Sequence, residues 1–261
     1  MRIFAIKDDS FNEDVTFGYL IYYENAKAFY IELPDGADKW DTPLLLASFA
    51  ERGEFSINSY WSRLWVEQRI IPPERQNIGQ ILKTNGLDEY DEFEMLMLSS
   101  GRCAQDDYYL KEIKEDQLPG EIADRWKYKL EDVIPMQSQR LLLFFRNGEV
   151  KIADISTLGL DEDYLKKAEL QPDGYGVIWG NQSMISDREL YDKGVSVPLS
   201  AEDFYTFVKY RIVNSAEAAD ILGCSRQNID DLTRRGRLHP IRIDSKNRLY
   251  LRNEIIQRRK K

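Results

Sequence analysis

The chain has 261 residues, 43% hydrophobic and 12% aromatic, enough material for two or three domains with cores of their own and too apolar for a disordered chain. No apolar run approaches the ~20 residues needed to span a bilayer, and the start, charged at Arg2 and again from Lys7 to Asp9, is no signal peptide, so a cytoplasmic protein is expected. The net charge of −9 is unevenly shared: residues 211–261 carry 13 Lys and Arg against 6 Asp and Glu, and the rest of the chain carries 23 against 39. The basic end suits a polyanion, whereas the acidic remainder is expected to sit away from one or to face a protein partner.

Cys103 and Cys224 are the only cysteines and His239 the only histidine, so a disulfide framework, a metal site and His-based catalysis have little to build on, and no cofactor is expected.

In chain order, residues 2–7 predict a strand, and residues 17–23 and 28–33, rich in aromatic and β-branched side chains, predict a hairpin. A loop over residues 34–42 leads into predicted helices at 44–52, 56–69, 75–84 and 91–99. Their aromatic stripe reads as core rather than as a ligand cage, and Asp106-Asp107 as a solvated turn rather than a magnesium site. Residues 111–135 are charged and broken by Pro119-Gly120, with a helix expected from Glu121 to Leu130, and read as a connector.

Beyond it, Asn147-Gly148 separates two apolar runs, 141–146 and 149–155, which is a strong hairpin signal because both residues tolerate positive φ. Residues 177–179 add a strand, and Ser186 with Glu189 caps a short helix. Asn181-Gln182-Ser183 matches a glycosylation acceptor in form only, since nothing in the sequence points to a secretory route. Residues 200–210, with Ser200 and Asp203 in capping-box spacing, predict a helix that runs into the C-terminal segment.

That segment is the most informative. Asn214 and Glu217 have capping-box spacing, Gly223 supplies a helix end and turn, and Ser225 caps a second helix over residues 226–235. Ile229 and Leu232 share a face that can pack on the first helix, leaving Arg226, Gln227 and Asn228 at the exposed start of the second. Gly236 ends that helix, and two extended runs, 239–243 and 248–251, flank the turn-like Asp244-Ser245-Lys246-Asn247.

The order NSAEAADILGCSRQNIDDLTRRGRLHPIRIDSKNRLYLRNEI resembles the winged helix-turn-helix of the MerR and excisionase families. The resemblance implies a DNA-binding transcriptional regulator. The residues expected to meet DNA are Ser225, Arg226, Gln227, Asn228, Arg234, Arg235, Arg237, Lys246 and Arg248, with Arg226, Gln227 and Asn228 at base edges and the wing residues at phosphates. Asp230 and Asp231 depart from the family pattern and would repel phosphates unless they accept a hydrogen bond.

Two further resemblances concern the rest of the chain. LLLFFRNGEVKIADIS followed by GVIWGNQSMISDRELYDKGV resembles a small bacterial α+β domain of unknown function, which implies a scaffold or partner-binding unit; Asp154, Asp187 and Glu189 read there as turn and cap residues. Residues 69–110 resemble the small N-terminal lobe of HipA-type kinases, but no phosphate loop, catalytic Asp-Asn motif or metal-binding Asp follows, so a non-catalytic piece is implied.

The expected architecture is therefore α+β and multidomain: a mixed domain over 1–135, a small α+β domain over 138–198 and a winged helix-turn-helix over 211–261. The expected protein is not an enzyme. It binds double-stranded DNA, forms a homodimer through its acidic N-terminal region, and meets any protein partner through that same region. The alternative is a non-catalytic interaction adaptor of a toxin-antitoxin-like operon, with the helix-turn-helix degenerate.

Overall fold

Ile3, Phe4, Ala5 and Ile6 are all buried, which an antiparallel strand allows only when both of its faces are covered. They form the middle of β1 (Arg2–Asp8), which pairs on one side with β2 (Gly18–Tyr23), itself hairpinned to β3 (Ala28–Glu32). A computed structural model of the protein describes residues 1–10, 15–40, 42–180, 183–244 and 247–259; Asn181, Gln182, Ser245 and Lys246 thus lie outside the described residues. The fold is α+β, with helices and antiparallel sheets. The chain divides into two compact units, Met1–Asn147 with Ala153–Gly194, and Gly148–Ile152 with Val195–Lys261. Among the described residues no helix is long and apolar enough to cross a membrane.

In the first unit, α1 (Ala47–Glu51) is followed by β4 (Ser56–Ile57) and α2 (Ser59–Glu67). The helix expected from Ser56 starts later, because Ser56 and Ile57 pair with β3 and the Asn58 side chain accepts from Trp61 N–H at 3.1 Å. Then come α3 (Ile78–Thr84), α4 (Glu92–Leu98) and β5 (Tyr108–Ile113). The start of the expected connector is thus a strand: β5 pairs with β1 from Ile113 opposite Ile3 to Tyr108 opposite Asp8, completing the order β4-β3-β2-β1-β5. Its charges sit at a sheet edge, where Glu112 takes a bidentate pair from Arg2 at 2.8 Å.

Phe4, Ile6, Leu20 and Ile31 point to one face of this sheet, with Phe49, Trp65, Phe93 and Leu96 from the helices; Ile3, Ala5, Ile21 and Tyr30 point to the other, under α5 (Gly120–Trp126). Next, β6 (Leu130–Met136) pairs antiparallel with β7 (Arg140–Phe145). The Asn147-Gly148 turn, with Gly148 at φ +84°, leads to β8 (Val150–Asp154), and Ile155 N–H donates to Gln139 C=O at the open end. After α6 (Glu162–Leu165) and β9 (Glu169–Leu170), β10 (Gly176–Trp179) lies between β9 and β11 (Ser183–Ser186), and Ser186 caps α7 (Asp187–Lys193). The turn before β10 is tight: Asp173 and Gly174 have φ of +56° and +77°, and a Cβ on Gly174 would lie 1.9 Å from Leu130 C=O. It lays Tyr175 flat on Tyr30 with ring centroids 3.8 Å apart.

The second unit begins where β12 (Val195–Ser196) pairs with Lys151 and Ile152 of β8. It continues through α8 (Ala201–Arg211), β13 (Ile212–Asn214), α9 (Ser215–Leu222), α10 (Arg226–Arg234), β14 (Arg242–Ile243), β15 (Arg248–Leu251) and α11 (Arg252–Arg259). β15 lies between β13 and β14, so the hairpin expected from the sequence gains a third strand from the residues just before α9. Val213, Ala218, Ala219, Ile229, Leu238, Tyr250 and Ile255 form its core.

Candidate nucleic-acid interface

The geometry of α9 and α10 follows from their caps. Asn214 Oδ1 accepts from Ala216 and Glu217 N–H at 2.8 and 3.0 Å, and Glu217 accepts from Asn214 N–H at 2.8 Å. Gly223, at φ +67°, turns the chain in the left-handed region that L side chains avoid, and Cys224 N–H returns to Ala219 C=O. Ser225 Oγ then accepts from Asn228 N–H at 3.3 Å and starts α10. Gly236, at φ +64°, ends that segment.

The buried side of α10 is set by Ile229, fully buried, with Leu232 against the same core. Thr233 adds a polar tie: its hydroxyl donates to Ile229 C=O and lies 2.9 Å from the Tyr250 hydroxyl on β15. The opposite side is left to solvent. Ser225, Arg226, Gln227 and Asn228 are exposed, and the first turn of the helix contains no acidic residue. The dipole at this end favours an incoming anion, and side chains of these types reach base edges in pairs of hydrogen bonds.

The other residues expected to meet DNA divide into two groups. Arg235 and Arg237 are exposed and carry no ion pair among the described residues. Arg234 and Arg248 are engaged: Arg234 donates to Asp231 at 3.1 Å one turn back, and Arg248, half-buried on β15, donates to Asp230 on α10. Asp230 and Asp231 are therefore both answered by guanidinium groups of the same unit. Lys246 lies outside the described residues.

Sequence reading missed Arg242, which stands exposed on β14 opposite Leu249, one step along the ladder from the Ile243–Arg248 pair. The alternation of charged and apolar residues over 241–243 was the available signal. It also missed the C-terminal brace, in which Glu254 accepts from His239 N–H at 3.1 Å and Arg258 donates to Arg237 C=O, anchoring the chain between α10 and β14 to α11.

A second polar cluster is buried in the first unit. Glu32, fully buried, accepts from Trp126 Nε1 at 3.0 Å, Tyr175 Oη at 2.8 Å and Ser56 Oγ at 2.7 Å, and forms an ion pair with Arg125 at 3.1 Å. Lys129 Nζ lies 3.9 Å from Glu32 and 3.5 Å from Asp173, and 3.3 Å from the centre of the Tyr175 ring. Burial pulls the Lys129 ammonium down to about 8 and pushes the nearby Asp187 carboxyl up to about 7. Carboxylates and cations face one another within the cluster, which reads as an internal fastening of the sheet to the turn at Asp173. Among the described residues no group of three or more His, Cys, Asp and Glu side chains is placed to hold a metal ion.

Comparison of the chain with protein-family models, with curated proteins and with solved structures gives no match. The functional reading rests on the geometry above.

Proposed function

We propose that the second unit is a winged helix-turn-helix of the MerR and excisionase type, and that the protein is a cytoplasmic, non-enzymatic regulator of transcription that binds double-stranded DNA. In this reading α9 and α10 are the helix-turn-helix, α10 enters the major groove by its N-terminal end, and β14 with β15 is the wing. The observation that carries it is the internal pairing of Asp230 with Arg248 and of Asp231 with Arg234. It removes the two uncompensated carboxylates that would oppose groove entry, while Arg226, Gln227 and Asn228 stay exposed for guanine and adenine edges. In this reading Arg235, Arg237 and Arg242, all exposed, meet phosphates, which fix position without reading sequence.

The test is selection of a preferred duplex from a randomised pool, followed by affinity measurements for the wild type and Arg226→Ala. A preferred site whose discrimination falls on loss of Arg226 supports the reading. Failure to enrich any sequence, with equal affinity of both proteins for all duplexes, refutes it.

One observation favours a second reading, the interaction adaptor. A surface groove of the first unit is lined by Glu24, Asp88, Glu89, Asp91 and Glu94 against the single cation of Arg2, an acidic excess that suits a basic segment of another protein. Capture of such a partner by a chain that enriches no DNA is the outcome that selects it.

A further inference from the structure

The hairpin of the second unit keeps hydrocarbon in solvent. Ile243 on β14 is 65% exposed and Ile241, just before the strand, 48%, and neither belongs to the core built around Val213, Ile229, Tyr250 and Ile255. β14 is the outer strand in the order β13-β15-β14, so its far edge is open among the described residues. Successive residues of a strand point to opposite faces, which sends Arg242 to one side and Ile243 to the other, with Leu249 opposite Arg242 and Arg248 opposite Ile243. Asp244 N–H donates to Asn247 C=O at 3.0 Å and Asn247 N–H to Asp244 Oδ1 at 2.7 Å, so Ile243 stands next to the pair that closes the turn.

We infer, on the reading of the second unit as a DNA-binding module, that Ile243 is a specificity-determining residue that enters the minor groove beside the site of α10 and selects A·T over G·C pairs there. Single exposed aliphatic side chains are common on protein surfaces. Here two of them bracket an exposed arginine, next to a hairpin turn, in a segment with 13 Lys and Arg against 6 Asp and Glu over residues 211–261. That charge attracts a polyanion and brings the hairpin to it. Arg248 ties the hairpin to α10 through Asp230, so with α10 in a major groove the hairpin stands over the neighbouring backbone and minor groove. An apolar side chain, isoleucine among them, beside cationic ones is a recurrent composition of minor-groove readers.

The selectivity follows from the edges of the bases. In the minor groove A·T and T·A pairs present only acceptors, and a G·C pair adds the guanine 2-amino donor. Isoleucine has no acceptor for that donor, so closing it over G·C buries the amino group unpaired, a cost that A·T does not carry. Arg242, on the other face of the same strand, is free to take a phosphate, which adds affinity without sequence preference. The strand thus divides the work between adjacent residues: Arg242 holds and Ile243 selects.

The experiment uses the full-length protein on a duplex selected from a randomised pool. Each base pair flanking the α10 contact is set in turn to A·T, G·C and inosine·C, the last having the major-groove edge of G·C and the minor-groove edge of A·T. Wild type is expected to prefer A·T over G·C at a flanking position by about tenfold and to bind the inosine duplex as it binds A·T. Ile243→Ser is expected to reduce the preference to about twofold with the salt slope unchanged, and Ile243→Leu to keep it. Arg242→Ala is expected to lower the salt slope by about one unit and to keep the preference. Thermal unfolding of all three variants should match wild type, since neither side chain lies in the core. A flank without preference, an inosine duplex that binds like G·C, or an Ile243→Ser protein that discriminates as wild type does, on a duplex whose recognition still depends on Arg226, overturns the inference and leaves the α10 reading standing. A chain that enriches no sequence overturns both.

Discussion

Arg248 on β15 donates to the carboxylate of Asp230 on α10, tying the strand of the hairpin to the helix beside it. The pair does two things at once. It fixes the angle between the hairpin and α10, and it cancels a negative charge on a face that would otherwise repel a polyanion. Both groups are partly exposed, so its worth to stability is small, about 0–1 kcal/mol. Its effect on binding is expected to be larger than its effect on folding.

Substitution tests this directly. Asp230→Asn frees Arg248 and is expected to raise affinity for arbitrary duplex DNA and steepen its salt dependence by about one charge. Arg248→Ala leaves Asp230 uncompensated and is expected to lower affinity for every sequence alike, with little change in thermal unfolding. Fluorescence anisotropy as a function of salt reads both, and an Asp230→Asn protein with weaker non-specific binding would show that Asp230 accepts from a base instead.

Arg226 differs from the arginines at the other end of α10. Arg226→Ala is expected to cost ~1–3 kcal/mol at a selected site and to relax discrimination at one base position. Arg235→Ala and Arg237→Ala are expected to weaken all duplexes uniformly, each reducing the salt slope by about one unit because one phosphate goes unneutralised. Parallel salt titrations on selected and scrambled duplexes separate the two patterns, and identical behaviour of Arg226→Ala and Arg235→Ala would remove the base-reading role.

The cap of α9 is a matter of stability. Asn214 satisfies two N–H groups of the first turn and receives Glu217 in return. Asn214→Ala is expected to destabilise the second unit by about 1 kcal/mol, and Asn214→Ser to retain most of that. Chemical denaturation followed by a probe in that unit checks it; equal losses for Ala and Ser would mean that the side chain acts through something other than capping.

What was legible in the sequence was local. Asn214 with Glu217, Ser225 with Asn228, and Ser200 with Asp203 are bonds across three residues, so the spacing alone announces them. The Asn147-Gly148 turn is legible for the same reason. What was hidden was carried by distant partners. The charges of residues 111–113 suggested a connector, yet β5 is a strand because β1 offers it an open edge. The Asp230–Arg248 pair depends on where a hairpin folds back, and no spacing rule predicts it. α8 had the expected boundaries to within a residue, but its lack of burial is a property of its surroundings, invisible to periodicity.

The cluster around Glu32 is the other relationship no local pattern discloses, and it supplies a pH test. Asp187 titrates at about 7 in the folded protein against an ordinary 3.8, so between those values the unfolded chain releases a proton that the folded one keeps. Stability from this group is therefore greatest in acid and is lost as pH rises toward 7. Lys129 is the mirror case: its folded value of about 8 lies below the ordinary 10.5, so the unfolded chain holds the extra proton and stability rises from pH 8 to 10.5. Asp187→Asn is expected to gain on wild type progressively from pH 4 to 7, and Lys129→Met to lose its advantage over wild type between pH 8 and 10.5. The Met variant remains folded because Glu32 keeps its bonds from Trp126, Tyr175, Ser56 and Arg125. Glu32→Gln is the damaging change, since it leaves Lys129 and Arg125 without their shared carboxylate, and a loss of ~3–5 kcal/mol is expected. Urea unfolding of the three variants across this pH range decides the matter: parallel curves for wild type and Asp187→Asn from pH 4 to 7 would mean that Asp187 ionises as freely in the folded chain as in the unfolded one.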